Sequence, residues 1–314
     1  MRRALGVVLA ILGGVLLVAA AVLRFVVAPA VIKAPVEEDG RPFHSTTVAT
    51  GRGSLLDQQN NEFIGDLPLR GEIRITADVS DSTDDVAVWD VRTVVRNTTN
   101  NAELRTTTDR VAFDRKTSEA VIGYDDAADE KYGVERGGTI SYKFPFGAER
   151  RTYDYFDTET GKGWPARYKG TTQINGLETY RYEQVIEPTV IDETVLPFLN
   201  VAGLDVERVY STTRQFLVEP TTGIIVRAEE EMKQSLRFGD TGLETPALTA
   251  SLAFDEDTVN SRVSEAKQAK QAINAVEVTW PLAAAVAGLV LVVIGGALAL
   301  RRSKQQQQLE VATL

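Results

Sequence analysis

Ten of the chain's 23 aromatic side chains lie between Tyr142 and Tyr182: Tyr142, Phe144, Phe146, Tyr153, Tyr155, Phe156, Trp164, Tyr168, Tyr180 and Tyr182. The carboxylates Asp154, Asp157 and Glu159 are interleaved with them. Rings that stack on the C–H faces of a sugar, beside acids that accept hydroxyl protons, make up a glycan-binding face. Tyr153, Tyr155, Phe156, Trp164 and Tyr168, with Asp154 and Asp157, are therefore the candidate ligand-binding residues. The same spacing also serves a core, because alternation at Tyr153/Tyr155 and Tyr180/Tyr182 puts each pair on one face of a sheet, where Tyr and Phe are favoured. A glycosidase would further need two carboxyls about 5–10 Å apart across the scissile bond. Asp154 or Asp157 would be the first choice for such a pair, but no catalytic residue is assigned from spacing alone.

Other chemistry is sparse. Asp81, Asp84 and Asp85 form one acidic cluster, and Asp125, Asp126, Asp129 and Glu130 form another. Calcium favours several carboxylate oxygens, yet neither cluster has the Gly and Glu order of an EF-hand, and solvated loops account for both. Cysteine is absent from all 314 residues, which excludes a disulfide framework, a thiolate zinc site, an iron–sulfur cluster and a Cys nucleophile. One histidine, His44, leaves neither a His-based triad nor a multi-His metal site. It lies beside Pro42 and Phe43 and reads as an incidental surface residue. Gly51-Arg-Gly-Ser54 is a short turn rather than a phosphate cradle, Asn97-Thr-Thr99 matches a glycosylation acceptor pattern that is common by chance, and no nucleophile elbow, P-loop or dinucleotide fingerprint appears. The expectation is a protein without cofactor or metal, and not an enzyme.

The elements that would position these residues are mostly strands. Glu72–Ala77, Val86–Val95 and Arg110–Phe113 alternate apolar and polar side chains, and the last turns at Asp114–Thr117 to return through Ala120-Val-Ile122. A second hairpin over Gln215–Arg227 has Pro220 to fix φ on entry and Gly223 free to take positive φ on exit. Thr258–Val276 lacks Gly and Pro, is rich in Ala, Lys, Glu and Gln, and repeats apolar residues at Val263, Ala266, Ala269 and Ile273, which predicts a helical stalk. Ile191–Leu204 reads as a short helix interrupted by Pro197, whose Val195, Leu196, Phe198 and Leu199 serve either the core or a membrane contact. No long repeat marks a solenoid or propeller. The predicted fold class is mainly β (α+β), a large antiparallel β-rich domain between two terminal transmembrane helices.

Both ends are apolar. Ala4–Leu23 runs 20 residues without a charge, after Arg2 and Arg3 and before Arg24. At ~1.5 Å per residue such a helix crosses a hydrocarbon layer of ~30 Å. Leu282–Leu300 is also uncharged, with Trp280 and Pro281 at its start and Arg301, Arg302 and Lys304 after it. The basic outer flanks place both termini in the cytoplasm. A cleaved signal peptide is the rival for the first segment, but its apolar core would run only about 7–15 residues, and here apolar character resumes through Phe25, Val26 and Val27. The expected organisation is residues 1–3 as cytoplasmic N-terminus, 4–27 as transmembrane helix 1, 28–257 as an extracytoplasmic β-rich domain and 258–279 as a juxtamembrane helix. Residues 280–300 then form transmembrane helix 2, and 301–314, with the Gln305–Gln308 tract, a disordered cytoplasmic tail. Between the anchors, with Lys33 counted beside the first of them, lie 27 basic and 43 acidic side chains, net −16. That balance argues against nucleic acid and against adhesion to anionic lipid, and in favour of solubility.

Several strings together carry a family resemblance: Ala87-Val-Trp-Asp-Val91, Arg110-Val-Ala-Phe-Asp-Arg-Lys-Thr117, Tyr142-Lys-Phe-Pro-Phe146, Arg151-Thr-Tyr-Asp-Tyr-Phe-Asp157 leading to Pro165-Ala166, and Gly176-Leu-Glu-Thr-Tyr-Arg-Tyr182. With both terminal helices, the chain resembles actinobacterial domain-of-unknown-function family 3068, whose members are often labelled PorA-family porins. The resemblance covers nearly the whole chain. It also implies, for many members, a Cys pair shortly after the Phe-Asp-Arg segment. Here Val121-Ile-Gly-Tyr124 stands in that place, so a disulfide is not essential to this version of the fold.

The resemblance implies two functions that conflict. The label implies a pore, whereas other members are linked to lipoglycan maturation, the conversion of lipomannan to lipoarabinomannan in mycolic-acid bacteria. A membrane β-barrel carries no 20-residue apolar helix, since such helices stop in the inner membrane. The expectation is therefore a cytoplasmic-membrane protein of the cell envelope, anchored in the bilayer by two helices, that binds or scaffolds lipid-linked glycan or the envelope glycosyltransferases that extend it. Long hairpins curling into a half-barrel would leave an apolar groove for acyl chains. A pore made by oligomerising anchors, with Gly13-Gly14, Gly288 and Gly295-Gly296 allowing close approach, and a carboxylate-dependent glycan enzyme are the alternatives.

Overall fold

The structure is a computed structural model and describes residues 2–57, 62–124, 127–128, 131–132, 136–192, 206–239 and 242–300. It divides into two compact units, one formed by residues 1–32 with 269–314 and the other by Lys33–Gln268. About half of the chain is strand in one antiparallel sheet, with a long apolar helix near each end, so the fold is mainly β.

In the smaller unit, α1 (Arg2–Val22) passes through a π turn at Leu23–Val27 into α2 (Ala28–Val31). It packs against α4 (Trp280–Leu300), which a second π turn, Ala275–Thr279, precedes. Glycine permits that approach. A Cβ on Gly13 would lie 2.5 Å from the Gly288 carbonyl oxygen, and one on Gly295 would lie 2.5 Å from the Ala10 nitrogen and the Gly6 oxygen. Gly14 and Gly296 face open space instead. At the two π turns Arg24 and Glu277 are 3.3 Å apart. Outward from the glycine seam the side chains are Leu, Val, Ile and Phe, the surface of a helix pair in hydrocarbon.

The larger unit opens with a small hairpin, β1 (Glu37–Glu38) and β2 (Arg41–Pro42), turned by Asp39 and Gly40, both at positive φ. The long strands follow: β3 (His44–Asp57), β4 (Glu62–Ala77), β5 (Val86–Asn97), β6 (Glu103–Asp114), then the short β7 (Ala127–Ala128) and β8 (Lys131–Tyr132). After them come β9 (Tyr153–Asp157), β10 (Lys162–Ile174), β11 (Leu177–Asp192), β12 (Val206–Val218), β13 (Ile225–Phe238) and β14 (Leu243–Phe254). Every neighbour in the sheet is consecutive in the chain except one pair, β3 with β14, which joins the first long strand to the last. At that seam glycine is obligatory, since a Cβ on Gly51 would lie 1.8 Å from the Ser251 oxygen and one on Gly53 would lie 2.4 Å from the Thr249 oxygen.

The sheet also curls until its far strands meet. After β6, the Asp114 carboxylate accepts the Lys116 and Thr117 N–H groups, and the chain returns so that Ala120 pairs with Phe113. Ala120 N–H then donates to Thr139 O, Ile140 N–H to Asp154 O, and Phe156 N–H to Ile140 O, bridging to β9. Closure gives the sheet an inner face. On it, register places Ala77, Trp89 and Val111 in one row and Tyr168, Tyr182, Phe216 and Ala228 in another.

Two apolar clusters lie there. Trp89 and Phe113 meet edge to face with centroids 4.7 Å apart, joined by Ala34, Val36 and Phe43 from the entry segment. Phe144 stacks on Tyr182 at 4.6 Å, beside Tyr153, Tyr155 and Phe216. The Gln215–Arg227 hairpin turns as its sequence predicts. The Glu219 carboxylate accepts the Thr222 N–H and hydroxyl, while Gly223 at φ +73° lies so close to Phe144 O that a Cβ would sit 1.9 Å from it.

The predicted stalk helix begins earlier, as α3 (Glu256–Asn274). Asp255 caps it, accepting the Thr258 N–H at 2.8 Å. Within the larger unit its first half is docked rather than free, with Val259, Val263 and Ala266 buried against Leu177, Leu217 and Val226. Arg262 holds the hydroxyls of Ser45 and Thr47, each at 2.7 Å. Of the predicted apolar stripe, Ala269 and Ile273 are not buried. In the segment predicted as a short helix over Ile191–Leu204, Ile191 and Asp192 end β11, and the rest lies outside the described residues, as do Asp125, Asp126, Asp129, Glu130 and the 301–314 tail.

Candidate functional site

The aromatic band is turned mostly inward. Tyr153, Tyr155 and Asp157 alternate onto the inner face of β9, and the rings of Tyr153 and Tyr155 are buried in the second apolar cluster. Their hydroxyls are committed to backbone: Glu149 N–H donates to Tyr153 at 2.8 Å, and Tyr142 N–H donates to Tyr155 at 3.1 Å. Burial pushes the Tyr155 phenol up to about 12, so it is neutral at physiological pH. Phe156 is also buried, with the Arg136 guanidinium 3.9 Å over its ring. Trp164 is half-buried and donates to the Thr160 hydroxyl at 2.9 Å, and Tyr168 packs edge-on against Tyr180 and Tyr182. Asp154 alone of the candidate residues is exposed. An exposed stacking face over Tyr153, Tyr155 and Phe156 is therefore not what the fold builds, because these rings supply the apolar area that holds the sheet closed.

Asp154 and Asp157 do not form a carboxyl pair either. Residues three apart on a strand point to opposite faces, and here one is in solvent and the other has no exposed surface. Asp157 lies in a polar network on the inner face. Its Oδ2 accepts the Tyr210 hydroxyl at 2.9 Å and Arg214 Nη1 at 2.7 Å, and its Oδ1 accepts the Thr160 N–H at 2.7 Å. Arg214 also reaches Glu230 at 2.8 Å and the Gln184 side-chain oxygen at 3.0 Å. Burial by itself would push the Asp157 carboxyl up, but the Arg214 charge and the Thr160 hydrogen bonds hold it below the usual range. Burial likewise raises the Tyr210 phenol, against the Arg214 charge and together with Asp157 and Glu230.

A second inward group joins Asp109 to Arg136 through two contacts of 2.5 and 3.2 Å, and Tyr142 donates to the same carboxylate at 2.5 Å. A third centres on Glu159, which pairs with Arg105 and accepts Gln234 Nε2 at 3.1 Å. In each network the inward carboxylate is met by an arginine. These charges fix inner-face packing and register rather than wait for a proton.

The charge of the acidic loop is offset in part by basic groups. Arg110 takes Asp78, Asp81 and Asp90, drawing the Asp78 carboxyl down to about 2 through the Ser80 hydroxyl and Arg110. Asp85 meets Lys33 at 3.2 Å. Among the described residues no three His, Asp or Glu side chains converge as a metal site. His44 is exposed on the first turn of β3.

Sequence reasoning missed Tyr210, Arg214, Glu230, Asp109 and Arg136, because a lone charged or phenolic side chain has no local mark of burial. It also missed an outward cleft of about 240 Å³ lined by Glu72, Arg74, Arg92, Val94 and Arg96. Spacing of four along each strand puts Arg70 with Arg74, and Arg92 with Arg96, on one face, but only the pairing of β4 with β5 brings the two sets together.

Comparison with known proteins adds a family. The family described as "Porin PorA" matches residues 5–297. A Porin PorA of Corynebacterium amycolatum is 23% identical over 244 residues, which cover 60% of this chain and 63% of that protein. A Porin PorA of Corynebacterium resistens is 22% identical over 280 residues, covering 64% of this chain and 68% of that protein. The chain thus spans 63% and 68% of the lengths of these two relatives.

Proposed function

The chain belongs to the porin PorA family of membrane proteins, and from that premise we propose that it is a non-enzymatic cell-envelope protein whose β-rich unit binds or scaffolds lipid-linked glycan assembly. Its task would be lipoglycan maturation, from lipomannan to lipoarabinomannan. In this reading the two apolar helices hold it in the cytoplasmic membrane with both termini inside, and residues 28–257 face outward.

One observation carries the proposal: the polarity of the sheet is that of a water-facing domain. Its inner face holds the two apolar clusters, while outward positions carry Arg70, Glu72 and Arg74 on β4, Arg92 and Arg96 on β5, and Glu229, Glu231 and Lys233 on β13. A strand wall in lipid needs the reverse, and each Arg or Lys at the bilayer midplane costs about 2–4 kcal/mol. The membrane is left to α1 and α4, whose outward surfaces are apolar from Ala4 to Val22 and along Trp280–Leu300. A wet, highly charged unit tethered at the bilayer suits the handling of polar chains that grow on lipid carriers.

The names of the relatives favour a second reading, a pore, which here would require oligomers of the helix pair. The experiment is deletion of the gene in its native host, with extracted lipoglycans compared by gel against the complemented strain. Truncated or missing mature lipoglycan, restored by complementation, is the expected result. Unchanged lipoglycan would refute the assembly role, and stepwise conductance from the purified full-length protein in planar bilayers would then establish the pore.

A further inference from the structure

We propose that the outward face of β4 and β5 is an anion site, built to take a phosphoryl group. The argument starts from register. Arg74 stands directly opposite Arg92, and Arg70 directly opposite Arg96, with Glu72 opposite Val94 between them. Side chains so placed have Cβ atoms about 4.5–5.5 Å apart, and like charges in that relation destabilise a sheet. Two such rungs on one hairpin stand out in a region that is net −16 even with these arginines counted, since nothing in the overall charge demands them.

The acids nearby offset only part of this charge. Arg74 is paired with Glu72 beside it, and Arg96 meets Glu103 at 3.0 Å. Arg92 and Arg70 are exposed and have no ion pair among the described residues, although Glu103 also lies close enough to Arg92 to feel its charge, so the four arginines share two nearby acids. Arg74, Arg92 and Arg96 wall the cleft of about 240 Å³, and Val94, only 8% exposed although it faces outward, forms its floor. These three arginines thus border one concavity on the outward face, with Arg74 and Arg92 reaching into solvent. Planar forks supplied by two neighbouring strands match the several oxygens of a phosphate better than a single carboxylate does. Glu72, inside the cleft, competes with the anion for Arg74.

This assignment does not depend on the glycan reading; it would hold equally for a pore-forming member. The phosphoryl group could be soluble or on a lipid, so the test has two arms. Full-length protein in zwitterionic detergent would be titrated calorimetrically with inorganic pyrophosphate, and separately with micelles doped with phosphatidylinositol. Saturable binding is expected in one arm, identifying the source. It should fall about tenfold in Arg92→Gln, as for a lost charge-assisted contact, and further in Arg74→Gln/Arg92→Gln. Glu72→Gln should bind more tightly. Arg167→Gln, an exposed arginine on β10, serves as the control and should bind as wild type. Near-UV circular dichroism on each variant separates loss of the site from loss of the fold. Absence of saturable binding in both arms, an Arg92→Gln variant that binds as wild type, or an equal loss in Arg167→Gln would overturn the proposal.

Discussion

Replacing Asp157 by Asn tests whether the inner-face network holds the sheet closed. The carboxylate has no exposed surface and accepts from Arg214, Tyr210 and Thr160. Removing one partner of a buried ion pair typically costs about 3–5 kcal/mol, because the other charge is left uncompensated. Here Arg214 keeps Glu230 and Gln184, which points to the lower end, about 3 kcal/mol. For a unit of this size that is a fall in Tm of about 6–12 °C at neutral pH.

The pH dependence has a definite sign. Asp157 is held below its ordinary value of 3.8 in the folded state, so its contribution is complete above the unfolded value and is lost as pH falls through the folded one. The gap between wild type and Asp157→Asn should therefore be constant from pH 7 to about pH 5 and narrow only below about pH 4. Thermal melts of the full-length protein in detergent, followed by near-UV circular dichroism of the aromatic cluster, would measure it. A gap under about 1 kcal/mol at pH 7, or one that persists unchanged into acid, would refute the claim that ion pairing holds this network together.

Two further substitutions probe other parts of the molecule. Lys143 is buried, donates to Phe144 O at 2.8 Å and lies 3.7 Å over the Phe146 ring, and burial draws its ammonium down to about 7 from 10.5. The unfolded chain then holds the extra proton between those values, so stability should rise with pH across that window by up to ~1.4 kcal/mol per unit. Lys143→Met should remove that part of the slope and raise Tm at pH 6, and identical slopes in the two proteins would count against it. In the helical unit, Gly288→Leu should separate α1 from α4, since a Cβ there already lies 2.7 Å from the Gly13 oxygen. Spin labels on cysteines introduced at Leu5 and Leu300, in a chain with no other thiol, would report a longer distance, and an unchanged distance would refute glycine-dependent packing.

The sequence by itself determined the two apolar helices, the mainly β middle and the individual hairpins. Those properties are local: an uncharged run long enough to span hydrocarbon, alternation with a period of two, and turn residues such as Asp114 and Gly223 whose side chain or absence of one sets the backbone. The family was legible too, because strings such as Tyr142–Phe146 and Arg151–Asp157 survive as contiguous residues. What tertiary structure alone decided was which face of each strand became the inside. Alternation says that Tyr153 and Tyr155 share a face, but it does not say whether that face meets a sugar or Phe144 and Phe216. The answer depended on β3 joining β14 and on Ile140 bridging to β9, contacts between residues far apart in the chain. The same holds for charge. Asp157 and Arg214 are 57 positions apart, and Arg74 meets Arg92 only through the β4–β5 register. An acid or an arginine has no sequence mark of burial or exposure; its role is fixed by the partner that folding brings to it.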